Sequence, residues 1–304
     1  MGKVRAVCIS REKGTPKEDV GACEIIENFG LKDDAHAGSK RQVSLLSAER
    51  VKEAETKLGI SLKPGIFGEN ILAEGIDFKN LPLGTVFEIG ECRLVLTQIG
   101  KKCHQGCTIQ NLTGKCIMPV HGVFARVLKG GSVKAGDEIK ISAERMFTAA
   151  VLVSSDRSFE GKREDLSGPA AVTELEEAGY VVIDLTVLPD ECKALEEKLV
   201  SLCDELRPDF VITSGGTGLS PRDCMPEATL AVAEKNVPGI SEAIRSYSMT
   251  LTKKAMLSRA VSVMRGKTLI VNLPGSPKAV EECLDFLLPV LGHGIEIMRG
   301  EGDN

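Results

Sequence analysis

Tryptophan is absent and only two tyrosines occur among 304 residues. A chain so poor in aromatic side chains offers few platforms on which bases stack, and it has no basic block to follow a phosphate backbone. No nucleic acid is therefore expected among its partners. No apolar run reaches the roughly 18 residues that suggest a membrane span. Met1-Gly2-Lys3-Val4-Arg5 runs into a strand-like segment rather than a signal-peptide pattern, and Ala6 stands where a myristoylation motif needs Ser or Thr. A cytoplasmic protein with no membrane contact is the expectation. Cysteine, by contrast, is plentiful, with ten in the chain. Cys8, Cys92, Cys203 and Cys283 each sit alone in apolar stretches and read as small buried hydrophobes. In a reducing compartment the cysteines that cluster carry more weight than the total.

The length favours two domains at roughly 100–200 residues each. Charge divides the same way: Lys and Arg against Asp and Glu number 21 and 17 over residues 1–143 (+4), and 17 and 26 over 144–304 (−9). Residues 1–143 predict short strands at Val4–Ser10, Ala22–Asn28, Gln42–Leu46, Gly84–Ile89, Arg93–Ile99 and Gly122–Leu128, with a hairpin at Ile89-Gly90-Glu91. One helix starts near Ser47 and stops at Gly59. That pattern suggests a small, mostly β barrel. Beyond residue 143 strands alternate with helices. Strands are expected at Phe147–Val153, Val181–Leu188, Phe210–Thr213 and Leu269–Asn272, with helices at Pro169–Ala178, Cys192–Leu206, Pro226–Glu234, Ile240–Tyr247 and from Pro277. This rhythm argues an α/β domain of three layers, doubly wound about a parallel sheet.

The richest segment is Phe210-Val211-Ile212-Thr213-Ser214-Gly215-Gly216-Thr217-Gly218-Leu219-Ser220-Pro221-Arg222-Asp223. A buried strand runs into glycines, an arginine and an aspartate, at the end of the sheet where α/β proteins bind ligands. Glycines let backbone N–H groups surround an anion, and Asp223 beside them is placed to hold Mg²⁺. The loop lacks the third glycine of the dinucleotide motif, and Gly266-Lys267-Thr268 imitates a P-loop ending without the upstream glycine, since Val261 stands there. Ser155-Asp156-Arg157, Pro189-Asp190-Glu191 and Asn272-Leu273-Pro274-Gly275-Ser276-Pro277-Lys278 follow three other strands. Each aspartate alone reads equally well as a helix cap. Four polar strand ends together read as a site.

These segments, with Pro226-Glu227-Ala228-Thr229, Pro238-Gly239 and Leu257-Ser258-Arg259-Ala260, resemble the MogA/MoaB family from Phe147 to near Arg299. The resemblance implies adenylylation of molybdopterin by MgATP with release of pyrophosphate, in a homotrimer. By carry-over Asp223 and Asp190 serve catalysis and Mg²⁺. Gly215, Gly216, Thr217 and Gly218 cradle phosphates, Ser155, Asp156, Pro274 and Gly275 line the site, and Ser276 and Lys278 contact substrate phosphate. Ser258, Arg259 and Glu242 are further candidates, and Arg222 reads equally as a phosphate ligand or a solvated charge. Because fold membership does not guarantee turnover, a carrier that binds molybdopterin without reacting is the alternative.

In the first half, Lys101-Lys102-Cys103-His104-Gln105-Gly106-Cys107 precedes Cys116 and His121. Two chemistries compete: zinc held by Cys103, Cys107, Cys116 and His121 at loose spacing, or a reactive thiol beside two lysines. Gly30–Gly38, Arg41–Leu46 and Gly65–Asn70 together resemble the MOSC domain, which implies Cys103 as the signature cysteine, with Cys107 in reserve. The resemblance implies sulfur carriage, or binding of the cofactor's molybdenum or pterin, and so partnership with other molybdenum-cofactor enzymes. Asp34, His36 and Arg41 are pocket candidates, against an ordinary turn and an Arg41–Asp33 pair.

Overall fold

The computed structural model describes residues 2–101 and 116–300. It divides into two compact units, Met1–Met146 and Phe147–Asn304.

The first unit runs β1 (Gly2–Ile9), β2 (Glu18–Asp19), β3 (Ala22–Ile26), β4 (Gly30–Leu31), β5 (Val43–Ser47), α1 (Ala48–Leu58), β6 (Ile71–Glu74), β7 (Thr85–Ile89), β8 (Cys92–Ile99), α2 (Met118–His121), β9 (Val123–Lys129), β10 (Gly131–Lys134) and β11 (Glu138–Arg145). Neighbours run β11-β7-β8-β9-β5-β6-β1, and β11 pairs again with β1, Gly2 opposite Ile139. Seven strands therefore close into a barrel, and the short β2 pairs with the far end of β1. Alternation sets the faces: Val4 and Ala6 point inward while Lys3 and Arg5 face solvent. The β7–β8 hairpin turns at Gly90, whose φ of 56° suits glycine. Val51 and Ala54 of α1 pack against Leu46, Leu72 and Phe67, and Gly59 ends the helix in the left-handed conformation.

The second unit runs β12 (Thr148–Ser154), α3 (Asp156–Phe159), α4 (Ser167–Glu177), β13 (Val181–Leu188), α5 (Cys192–Ser201), β14 (Phe210–Ser214), α6 (Met225–Ala231), β15 (Lys235–Asn236), α7 (Pro238–Leu251), β16 (Ser262–Arg265), β17 (Thr268–Leu273) and α8 (Pro277–Arg299). Its sheet has the order β13-β12-β14-β17-β16-β15. The first four strands are parallel. The expectation of a wholly parallel sheet needs correction at the edge, where β16 and β15 run antiparallel. The cause is local: Gly266, at φ 55°, allows a two-residue turn that pairs Arg265 with Thr268. The segment that imitated a P-loop ending is a hairpin. The expected helix Cys192–Leu206 also divides, its last turn, Leu202–Leu206, being π-helical before Arg207.

Alternate residues of each strand point to opposite faces of this sheet. Val151, Val153, Phe210, Ile212 and Val271 pack with Ala171 and Leu175 of α4, Ile244 of α7 and Leu284 of α8. Ala150, Leu152, Val211 and Ile270 pack with Leu195 and Leu199 of α5 and Met225 and Ala228 of α6. At the amino end of the sheet Asp209 accepts hydrogen bonds from Thr148 N and Oγ1 (2.8 and 2.7 Å) and from Arg299 Nε and Nη2 (2.8 and 2.7 Å). Arg299 also lies over the Phe147 ring, 4.7 Å from its centroid. This buried ion pair ties the last turn of α8 to the sheet end remote from the ligand loops.

Candidate active site

Parallel register brings four loops to one edge. Ser154 lies opposite Leu188, Val153 opposite Ser214, and Ser214 opposite Leu273. The segments after β12, β13, β14 and β17 therefore leave the sheet side by side, and with them Ser155, Asp156, Asp190, Gly215 to Asp223, and Pro274 to Ser276.

Asp190 is the knot between the first two loops. Its Oδ1 accepts the Ser154 hydroxyl at 2.5 Å and its Oδ2 accepts the Asp156 N–H at 3.1 Å, while its own N–H donates to Asp156 Oδ1 at 2.9 Å. Asp156 in turn takes Arg222 in a two-point grip, Nε at 3.1 Å and Nη2 at 2.9 Å. The Arg222 guanidinium, aided by the Asp190 N–H, holds the Asp156 carboxyl below its ordinary value. Arg222, read as a phosphate ligand or a solvated charge, stays more than half exposed and, through Asp156, links the 215–223 loop to the β12 loop.

The glycine turn has no room for side chains. Gly215 has φ 91°, and a Cβ there would stand 2.3 Å from Ser154 O. Gly216, at φ 63°, passes next to Asp190, a Cβ on it lying 3.5 Å from Oδ1, while one on Gly275 would lie 3.1 Å from Gly215 Cα. On the far side of the turn Asp223 Oδ2 accepts the Ser220 N–H at 2.8 Å and sits 2.9 Å from where a Gly218 Cβ would be. The glycines thus run between the two carboxylates, with backbone exposed along the edge.

Arg259 lies behind this loop. Its Nε donates to Gly218 O and its Nη2 to Asp223 O, both at 2.7 Å, its Nη1 pairs with Glu227, and its own N–H donates to Thr217 O at 2.9 Å. Two edges of its guanidinium hold the loop's shape, and the third is tied to α6. Ser258 Oγ accepts the Ala260 N–H at 3.3 Å. Thr217 is buried. Ser276 caps α8 by accepting the Ala279 N–H at 3.3 Å, as its place before Pro277 implies. Lys278 stands apart, its side chain 85% exposed and 3.7 Å from Glu282 one turn on.

A polar cavity adjoins the glycines, lined by Ser155, Ser158, Arg163, Asp165, Ser167, Gly215 and Gly275 among others. Asp165, which sequence reasoning passed over, accepts Ser167 N and Oγ at 3.0 Å and Gly168 N at 3.1 Å. An aspartate just before Ser-Gly-Pro at a helix start was the available signal.

In the first unit Cys103 and Cys107 lie outside the described residues. Asp34 is buried and fully engaged, by Lys17, by Ser10 N at 3.1 Å and by His36 N at 3.0 Å. Burial alone would raise its carboxyl; hydrogen bonds from His36 and Lys17 overcome this and hold it well below the carboxylate range. Arg41 does not meet Asp33: its Nε donates to Gln98 Oε1 at 3.0 Å and its guanidinium lies over Phe124. Burial pushes the Glu69 carboxyl up to about 7, against the Gly65 and Phe67 N–H groups it accepts. Among the described residues no group of three His, Cys, Asp or Glu side chains is arranged to hold a metal unaided.

Residues 150–293 match the family described as probable molybdopterin binding domain, and residues 32–140 match the MOSC domain. The chain is 40% identical over 154 residues to a protein of Helicobacter pylori (strain J99) named molybdopterin adenylyltransferase, which takes in 49% of this chain and 86% of that one. The chain belongs to the molybdopterin-binding family. Within that family it is two-domain, with a seven-stranded MOSC barrel ahead of a MoaB/MogA-like domain. A Chlorobaculum tepidum protein named molybdenum cofactor biosynthesis bifunctional protein is 34% identical over 161 residues, covering 53% of this chain and 51% of its own. The solved structure of the molybdopterin biosynthesis enzyme MoaB from Thermus thermophilus is 39% identical and covers 52% of this chain and 99% of its own, with a TM-score of 0.49.

Proposed function

We propose that the second unit transfers the adenylyl group of MgATP to the phosphate of molybdopterin, in molybdenum-cofactor biosynthesis. The observation that carries this reading is the Gly215–Gly218 turn running between Asp190 and Asp223 at the carboxyl edge of parallel strands. The name borne by the 40%-identical relative supports it. A pterin phosphate oxygen attacks the α-phosphorus, the bond to the bridging oxygen breaks, and pyrophosphate leaves. Both reactants are anions, so the chain's task is to position them and offset their charge rather than to supply a nucleophile.

The residues present fit a magnesium nucleotide. Gly216 and Gly218 carry no Cβ, which lets phosphate oxygens approach the backbone of the turn, and Mg²⁺ takes one or two carboxylates while sharing its shell with those oxygens. Asp223 is the better ligand, since only Oδ2 is spent on Ser220. Asp190, with both oxygens accepting protein hydrogen bonds, sets the spacing of the loops as well as adding charge. The polar cavity beside Gly215 and Gly275 is assigned to the pterin phosphate, near Ser276 and Pro274. Lys278 would add a cation at the rim. The two cores on opposite sides of the sheet fit a three-layer, doubly wound domain.

For the first unit we propose work on the same cofactor, carrying sulfur on Cys103 or binding its molybdenum, and delivery to other molybdenum-cofactor enzymes. A cytoplasmic site of action and a homotrimer built through the second unit complete the reading. Among the described residues no helix is long and apolar enough to cross a membrane, and Met249, Leu251, Met256 and Leu257 leave apolar surface near the end of α7. The test is pyrophosphate release from molybdopterin and MgATP. Wild type is expected to turn over and Asp223→Ala to lose at least about 100-fold. Tight pterin binding without release by wild type would favour the carrier.

A further inference from the structure

Arg245 lies on α7, one helical turn after the buried Ser241 and next to the buried Ile244, so its side chain leaves the helix along the packed face. It is half-buried. Its Nε donates to Ser258 O at 3.1 Å and its Nη2 to Ala260 O at 2.9 Å. Among the described residues these two carbonyls, and no carboxylate, hold its charge.

The segment it grips is extended at Ser258, with φ −73° and ψ 125°. In extended chain the peptide groups of successive residues face opposite ways. The carbonyls of Ser258 and Ala260 turn to α7, while the Arg259 N–H turns to Thr217 O at 2.9 Å. Val261 is fixed in turn by Asn272 of β17, whose N–H donates to Val261 O at 3.1 Å and whose Oδ1 accepts the Val261 N–H at 3.3 Å. Residues 258–261 are thus a strap anchored on α7 and β17. From it Arg259 reaches the carbonyls of Gly218 and Asp223.

We propose that Arg245 is a positioning residue for adenylyl transfer: from α7 it fixes the strap that aims Arg259, and through Arg259 it holds Asp223 beside the glycine turn. The kinetic part rests on the adenylyl-transfer reading; the bracing does not. Arg245 acts without touching either reactant. Loss of its guanidinium leaves the Ser258 and Ala260 carbonyls without their donors and frees the strap on the α7 side. Arg259 then grips the loop from a looser base. A misplacement of about 1 Å is enough to cost on the order of 100-fold, and a partial loosening corresponds to about tenfold. Lysine keeps the charge but lacks the planar fork that spans two carbonyls.

The test is a double-mutant cycle on the full chain, read by pyrophosphate release and by hydrogen exchange of backbone amides. Arg245→Ala is expected to lower kcat and kcat/KM together by about tenfold, the mark of a lost transition-state contact. Exchange at the Ser220, Asp223 and Arg259 amides should quicken. The Asp156 and Asp190 amides, each bonded to the other's carboxylate, should keep their wild-type rates. In an Arg259→Ala background the same change should cost less than about twofold, because its route is already cut. Arg245→Lys should recover little. Arg265→Ala controls for general weakening: Arg265 grips Asp204 and Val232 O at the amino end of the sheet, and its loss should leave kcat and loop exchange unchanged. Full activity in Arg245→Lys, losses in Arg245→Ala and Arg259→Ala that multiply, or exchange rising equally throughout the unit overturns the proposal. Should the wild type release no pyrophosphate, the adenylyl-transfer reading fails on its own. Loop exchange then decides the bracing: faster exchange in Arg245→Ala, with no further rise in the double variant over Arg259→Ala, upholds it, and unchanged exchange overturns it.

Discussion

Gly215→Ala puts one methyl group into the tightest place on the ligand edge. The new Cβ would lie 2.3 Å from Ser154 O, where ordinary contact begins near 3.4 Å, so backbone must open by about 1 Å (3.4 less 2.3). An alanine at φ 91° adds strain of roughly 1–2 kcal/mol. The carbonyl belongs to the residue whose hydroxyl holds Asp190, so the displacement is carried straight into the candidate carboxylate. A shift of that size predicts a loss of about 100-fold in kcat/KM, roughly 2.7 kcal/mol of transition-state stabilisation. It also predicts a melting point lower by roughly 4–10 °C for the second unit. Gly239→Ala is the control: it sits in the first turn of α7 with nothing within 4 Å of the new atom, and should leave both quantities unchanged or raise the melting point slightly. Steady-state pyrophosphate release and calorimetry on the two variants decide the matter. A Gly215→Ala protein with wild-type kinetics and melting point would refute the reasoning from close packing to chemistry.

Arg259→Ala strips the carbonyls of Gly218 and Asp223 of their donors, and should cost about 1–3 kcal/mol in turnover through a loosened loop. Arg259→Lys, which cannot span both carbonyls, should restore little, and full rescue in the kinetics would contradict the bracing role. Asp209→Ala takes from the buried Arg299 the carboxylate that accepts its Nε and Nη2, the two side chains being only 6% exposed, and should lower the second unit's stability by about 3–5 kcal/mol. Because that pair sits at the opposite end of the sheet, activity well below the melting point should persist; a normal melt or a dead enzyme would each argue against it. In the first unit Glu69 is raised from 4.5 to about 7 by burial. The unfolded chain then gives up this proton at lower pH than the folded one, so stability should fall as pH climbs from about 4.5 to 7 and level off above. Calorimetry across that range checks the sign, and a rise over the same window would contradict it.

Much of the scaffold was legible because periodicity and turn chemistry are local. Thr85–Ile89 and Cys92–Ile99 announced themselves by β-branched alternation around Gly90, and Gly59 marked the stop of α1. Glu138–Arg145 was missed because Lys140 and Glu144 face solvent and gave it the look of a linker. Its pairing with β1, which closes the barrel, joins residues some 135 positions apart and leaves no trace in any short window. Ile71–Glu74 is four residues long and follows directly on Glu69-Asn70, whose side chains bind neighbouring backbone; too little pattern remained to show a strand.

At the candidate site the strand-end segments were readable one by one, since glycines, prolines and aspartates after apolar runs carry turn chemistry. What their side chains do to one another was not. Arg222 and Asp156 are 66 positions apart and meet only because β12 and β14 are adjacent. Arg259 turns its charge onto loop carbonyls, a use of an arginine that composition cannot separate from phosphate binding. Lys278 shows the converse, a cation one helix turn from Glu282 whose direction depends on where α8 begins.

Adenylyl transfer is tested most directly with ATP labelled at the α-phosphorus, incubated with molybdopterin, Mg²⁺ and the full-length chain. The account predicts label on the pterin product in step with pyrophosphate formed, and its loss in Asp223→Ala. Label that stays in ATP, or appears only as free AMP while molybdopterin remains bound and unmodified, would contradict it.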